Sequence, residues 1–192
     1  MATDIDIASN ALLLVGDEPI SSFTEAGAGA TAAANLYAQT YIKLLSEHPW
    51  TFALKEQELS KLSQAPDPLT NYSTAYQIPS DLIRLWQIMP HSSYSMVGTL
   101  LYSNQNKLIA RYVFKPEESV LPPHFIEALQ YKLAADFSIS VTEDRSKAEY
   151  YSRLAQLSLS KAKNVDSQGK PQVAIVDSPF TDVRNGGLRG VF

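Results

Sequence analysis

The chain has 192 residues, 45% hydrophobic and 19% charged, with a net charge of −4 and no cysteine. One domain with a real core fits those figures, and they exclude disorder throughout, disulfides and thiolate chemistry; the absence of cysteine also fits synthesis in a reducing cytosol. No run of about 18 apolar residues is available to span a bilayer, the first residues lack a secretory pattern, and without a lysine or arginine block a tight grip on nucleic-acid phosphates is disfavoured.

The first helix is expected from about Asp4 to Val15. Thr3 suits its cap, Asp4 and Asp6 suit the positive end of the helix dipole, and Gly16 suits a left-handed C-cap. Ile5, Ala8, Leu12 and Val15 form its inner stripe. A loop follows from Asp17 to Gly29, with Pro19-Ile20 as an anchored bend. The second helix, about Ala30 to Glu47, opens on Ala32, Ala33 and Ala34, small enough for close approach. Ala33, Leu36, Tyr37, Thr40, Tyr41, Leu44 and Leu45 then recur at three- and four-residue spacing, one buried face.

At Glu47-His48-Pro49-Trp50-Thr51-Phe52-Ala53 the period changes. Pro49 stops the helix. Trp50, Phe52 and Leu54, then Glu56 and Glu58, alternate as a strand does. A buried Trp50 is therefore expected at a joint between helical and β parts. Beyond it, Ala65-Pro66-Asp67-Pro68 and Ile78-Pro79-Ser80-Asp81 read as loops. Arg84 to Met89, Tyr94 to Val97, Thr99 to Ser103 and Leu108 to Val113 read as short strands. Gly98 and Asn104-Gln105-Asn106 supply hairpin turns. Four or five such strands predict one small antiparallel sheet and no sandwich.

Pro122-Pro123 is placed to open the third helix, in which Phe125, Leu129, Leu133 and Phe137 repeat every four residues. Thr142 is the expected cap of the fourth, with Glu143 and Asp144 in its first turn. Ala148, Tyr151, Ala155, Leu159 and Ala162 form its stripe, and its signal ends near Asn164. Tyr150, Leu154 and Leu157 lie beside that stripe; a helix apolar on more than one face needs more than one neighbour.

From Val165 onward the chain changes character. Val173 to Val176 suits a strand, but the segment has spaced apolar residues and no amphipathic period. It cannot form its own core against about 1–2 kcal/mol of backbone entropy per ordered residue. Such a tail is either disordered or bound to something else, and Phe180, Leu188, Val191 and Phe192 favour the bound state. Leu154, Phe180, Arg184, Leu188, Arg189, Val191 and Phe192 are the expected partner-binding residues.

Candidate chemistry is thin. Asp4 and Asp6 form an acidic pair, but helix N-termini attract carboxylates without a metal. Glu117 and Glu118 are adjacent and point apart. His48, His91 and His124 lack the spacing of a zinc site, and His48 reads as a helix-end cation or a packed imidazole. Gly27-Ala28-Gly29 has neither the lysine of a P-loop nor a preceding strand, and no G-x-S-x-G occurs. Tyr72, Tyr76, Trp86, Tyr94, Tyr102 and Tyr112 suit cross-strand packing better than stacking of sugars or bases. Asn71-Tyr72-Ser73 matches a glycosylation sequon without a secretory context. No catalytic residue, cofactor site or metal site is expected.

Two longer stretches carry a resemblance. Ala11-Leu12-Leu13-Leu14-Val15-Gly16-Asp17-Glu18-Pro19-Ile20-Ser21-Ser22 and Leu44-Leu45-Ser46-Glu47-His48-Pro49-Trp50-Thr51-Phe52-Ala53 resemble the tail tubular protein A family, the head-to-tail adaptor or gatekeeper proteins of short-tailed bacteriophages. Tyr76-Gln77-Ile78-Pro79-Ser80-Asp81-Leu82-Ile83-Arg84 and the segment from Leu121 to Leu133 are similar too. The likeness spans about residues 5 to 165, and none of its words is a catalytic signature.

The resemblance implies a virion tail protein, made in the host cytoplasm, that forms a dodecameric ring. The ring sits under the portal protein with the nozzle protein below, and DNA passes through its channel without specific binding. A mildly acidic lumen would let phosphates slide. The expected fold is α+β: a four-helix bundle from residues 1–49 and 115–165, an inserted β subdomain over 50–114, and an extended C-terminal docking arm over 166–192. A tail-associated cell-envelope hydrolase and a helical scaffold unrelated to phage are the alternatives. The first would need two buried carboxylates about 5–10 Å apart across a cleft.

Overall fold

Thr3 opens the first helix with a reciprocal cap. Its hydroxyl accepts the Asp6 N–H at 3.1 Å, and the Asp6 carboxylate accepts the Thr3 N–H at 2.9 Å. In the computed structural model, residues 2–63 and 71–169 are described, and the expected loop Ala65-Pro66-Asp67-Pro68 lies outside them. Helix α1 covers Asp4–Val15 and ends at a left-handed Gly16. It buries Ile7, Ala8, Ala11, Leu12 and Val15, whereas Ile5 from the expected stripe stays half-buried. Helix α1 packs mainly against α3 (Pro123–Ser140).

The bend after α1 is anchored as expected: Ser9 Oγ donates to Ile20 O at 2.7 Å and accepts the Ile20 N–H at 3.1 Å. Helix α2 (Ala28–Ser46) starts two residues before the expected Ala30. Gly29 falls inside its first turn because the Asp17 carboxylate presses there; a Cβ on Gly29 would lie 2.5 Å from Asp17 Oδ2. Helix α3 (Pro123–Ser140) carries Pro123 at its start and buries Phe125, Leu129, Leu133 and Phe137 completely.

Helix α4 (Arg145–Gln168) is capped by Asp144, which accepts the N–H groups of Ser146 and Lys147, and not by Thr142. The Thr142 hydroxyl instead donates to Ser138 O, and Glu143 turns the chain at φ 53° before the helix begins. The helix also outruns the expected end near Asn164, because buried Asp166 is held at its last turn. Helix α3 packs against each of the other three, and α4 packs mainly on α3. The result is the expected α+β arrangement of four helices with an antiparallel β part.

Trp50 and Phe52 lie outside the strand expected to begin at the joint. Thr51–Ala53 forms a 3-10 turn, and β1 (Leu54–Glu58) follows. The Thr51 N–H goes to Asp166 and the Ala53 N–H to Trp50 O, so these donors serve a turn and not a ladder. The remaining strands are β2 (Ser60–Lys61), β3 (Thr74–Gln77), β4 (Arg84–Met89), β5 (Tyr94–Val97), β6 (Leu100–Ser103) and β7 (Ile109–Val113).

They form two sheets and not one, in the orders β1-β7-β4 and β2-β3-β6-β5, all antiparallel. Pro90 ends β4, so the chain leaves the first sheet and the next hairpin pairs with β3 instead. Gly98, at φ 59°, fills the first position of the two-residue turn between β5 and β6. In β4 the register shifts between Leu85 and Gln87, which leaves Trp86 as a bulge.

Two cores result. The larger joins the helices to Trp50, Ala53 and Val113; the smaller holds Leu59, Tyr76, Ile88, Leu101, Leu108, Ala110 and Tyr112 between the sheets.

Candidate functional site

Among the described residues, a polar groove in the β part, the β5 edge with the Trp86 bulge, and the outer face of α4 offer chemistry or contact.

The groove, about 590 Å³, runs beside β1 and the loop of Pro79, Ser80 and Asp81. Lys55 Nζ lies 2.8 Å from Asp81 Oδ2. The Tyr112 hydroxyl lies 2.9 Å from Asp81 Oδ1 and 3.0 Å from Gln57 Oε1. The Lys55 hydrogen bond holds the Asp81 carboxyl below the usual carboxylate range, and the same bond raises Lys55. Burial, then the bond to Asp81, raises the Tyr112 phenol. Each shift moves the group's titration further from pH 7. A general acid or base needs the opposite, a value near the working pH. The arrangement therefore suits fastening β1 to the Asp81 loop.

The histidines stay apart in role. His48 packs edge-on against Trp50 and sits 3.2 Å from Asp166 Oδ2, an arrangement that suits either expected role, and His91 meets Gln87. Among the described residues, no three His, Asp or Glu converge in a metal-holding group, and no helix is long and apolar enough to cross a membrane. Asp6 serves the α1 cap, and Glu118 is half-buried beside Lys115 at 3.8 Å.

Of the β aromatics, Tyr76, Tyr102 and Tyr112 are buried packing partners. Trp86 and Tyr94 are not; they stand out in solvent with Met96 and Val97. The bulge aims Trp86 outward, and the Arg84 guanidinium lies 5.8 Å over its ring. Sequence alternation missed this because a bulge breaks the period of two.

Helix α4, packed mainly on α3, is also tied to the end of α1. Lys147 Nζ donates to Val15 O at 2.9 Å, and the Tyr151 hydroxyl donates to Leu14 O. Two carbonyls at the end of α1 thus gain donors from a neighbouring helix. Its inner stripe of Ala148, Ala155, Ser158 and Ala162 is small and buried. On another face, Tyr150, Leu154, Leu157 and Val165 share one stripe at helical spacing. Leu154 is half-buried, whereas Tyr150 is 59% exposed and Leu157 61%. Single exposed apolar residues are ordinary; here Tyr150 and Leu157 lie two turns apart on one face, with exposed Lys161 between Leu157 and Val165.

Of the expected partner-binding residues, Leu154 belongs to this stripe. Phe180, Arg184, Leu188, Arg189, Val191 and Phe192 lie outside the described residues, as does the strand expected at Val173 to Val176. No protein-family model matches the chain, and no curated protein matches it.

Proposed function

We propose that this chain is a structural virion protein, the subunit of a head-to-tail adaptor ring that joins a portal to a tail nozzle and extends the DNA channel. The observation that carries the proposal is the exposed apolar stripe of α4, Tyr150-Leu154-Leu157-Val165, on a helix already packed along its other face. A second helical neighbour would bury it, and a ring of copies supplies one for every subunit. The resemblance to tail tubular protein A supports the same reading and suggests twelve copies.

The polar groove favours this reading over the hydrolase, since its Lys55–Asp81 pair is shifted away from acid–base work. The net charge of −4 suits a channel through which DNA slides.

The test is assembly. Purified chain mixed with portal rings from the same particle is imaged by cryo-electron microscopy. A closed ring seated on the portal is expected. A chain that stays monomeric and unattached beside portals overturns the proposal.

A further inference from the structure

A second surface lies on α2, away from the α4 stripe. Here Asp4, Phe23, Ala34, Tyr37, Lys115 and Glu118 line a pocket of about 220 Å³. Three alanines of α2 leave the space. Phe23 and Tyr37, with ring centroids 5.8 Å apart, give it an aromatic wall. Two carboxylates outnumber the single ammonium along its lining, so its charge is negative.

Tyr37 is only 5% exposed, and Glu118 lies near enough to its hydroxyl to act on it by charge and by hydrogen bonding. Burial, followed by the nearby charge of Glu118, pushes its phenol well above the ordinary value, which places that carboxylate close to the ring's polar end. A guanidinium entering the pocket would meet that carboxylate.

The pocket fits an amphipathic cation. An arginine places its aliphatic stem on the alanines, its planar head against the aromatic wall, and its N–H donors on the carboxylates. The chain carries such a group where the α4 stripe needs company. Arg153 sits between Tyr150 and Leu157, and its side chain is 79% exposed. Its ion pair is Glu149 at 3.8 Å, a similarly solvated partner one turn away. Helix α3 separates α4 from α2 along most of their length, so the stripe and the pocket face different neighbours.

We infer that the pocket accepts Arg153 from a second copy of the chain, so that the α4 stripe of one copy meets α2 of the next. This rests on the ring reading above. The contact is head-to-tail, the kind that closes rings, since donor and acceptor surfaces differ.

Because the chain has no cysteine, a designed pair reports the contact cleanly. Full-length protein carrying both Leu157→Cys and Ala34→Cys, which keeps Arg153, oxidised at assembling concentration, should give a ladder of linked subunits on a denaturing gel. Each single variant should stop at dimers. Arg153→Glu alone and Glu118→Lys alone should each lower the assembled fraction by about tenfold. One chain carrying both charge changes restores an opposite-charge pair at every contact and should recover assembly. Circular dichroism of each variant reports its fold. Absence of a ladder overturns the inference. So does normal assembly of both single charge variants on portals, and that result leaves the ring reading intact. A wild-type chain that never joins portals removes the ring reading, while the ladder still decides the contact.

Discussion

Asp166 accepts the backbone N–H of Thr51 at 2.9 Å across 115 positions of sequence. The last turn of α4 is thereby fastened to the turn that starts the β part. The same carboxylate lies 3.2 Å from His48, and its side chain is 4% exposed. Lys163 adds a second fastening at 3.0 Å from Glu47, at the end of α2.

Asp166→Ala should therefore destabilise the fold by about 1–3 kcal/mol, the cost of leaving a buried donor without its acceptor. Urea denaturation followed by circular dichroism measures it. A change too small to resolve would mean the joint holds without the carboxylate.

The same contact moves the boundary for removing the tail. A cut after Asn164, where the helical signal fades, would delete Asp166 and loosen the joint. A cut after Gly169 keeps it. The chain ending at Gly169 should fold with unchanged thermal stability and fail to attach to portal rings. Unchanged attachment would make residues 170–192 a passive extension.

Trp50→Ala should cost about 3–5 kcal/mol, the range for a large buried aromatic. Trp50 is fully buried, stacks on His48, Phe52 and Phe125, and donates its indole N–H to Leu44 O at 3.1 Å. Chemical denaturation checks the value, and a loss below about 1 kcal/mol would contradict the core role.

Much of this was legible beforehand, and the misses have physical causes. α1 and the strands Arg84–Met89 and Tyr94–Val97 match the sequence reading residue for residue, because caps and turn residues mark their ends. The α4 boundaries were not legible. Glu143 takes a left-handed conformation that no local signal announces, and Asp166 is held by a residue 115 positions away. The split into two sheets could not be read because β3, four residues between loops, is defined by partners distant in sequence. The α4 stripe was visible as a second apolar face; the α2 pocket was not, since only packing brings Asp4, Tyr37 and Glu118 together.

Alkaline titration should separate Tyr37 and Tyr41 from ordinary phenols. Burial raises both well above 10.0, and the charge of Glu118 adds to it. A raised folded-state value favours the protonated form. The stability from these two groups is complete below pH 10.0, the unfolded value, and is lost as pH climbs toward their folded values. Ultraviolet difference spectra should show two tyrosines ionising only as the helical circular dichroism signal collapses. Their ionisation in a fully helical protein near pH 10.0 would contradict the burial.

Leu157→Lys should leave the subunit folded and block ring assembly, since Leu157 is exposed in the free chain and covered in the proposed contact. Leu154→Lys should block assembly too, with some loss of stability because Leu154 is half-buried. Sedimentation velocity and a thermal melt separate the two effects. A ring that forms normally with Leu157→Lys would remove α4 from the contact.

The Phe114 N–H donates to Ala53 O at 3.0 Å, and Leu54 pairs with Val113. The chain thus goes out into the β part and comes back at almost the same point, where a tight turn would bridge the gap. Apart from Ile83 and Arg84, which reach back to the helical core and to Ser46 O at the end of α2, what lies beyond the Leu54–Val113 pair is a cassette whose length the helix ends do not sense.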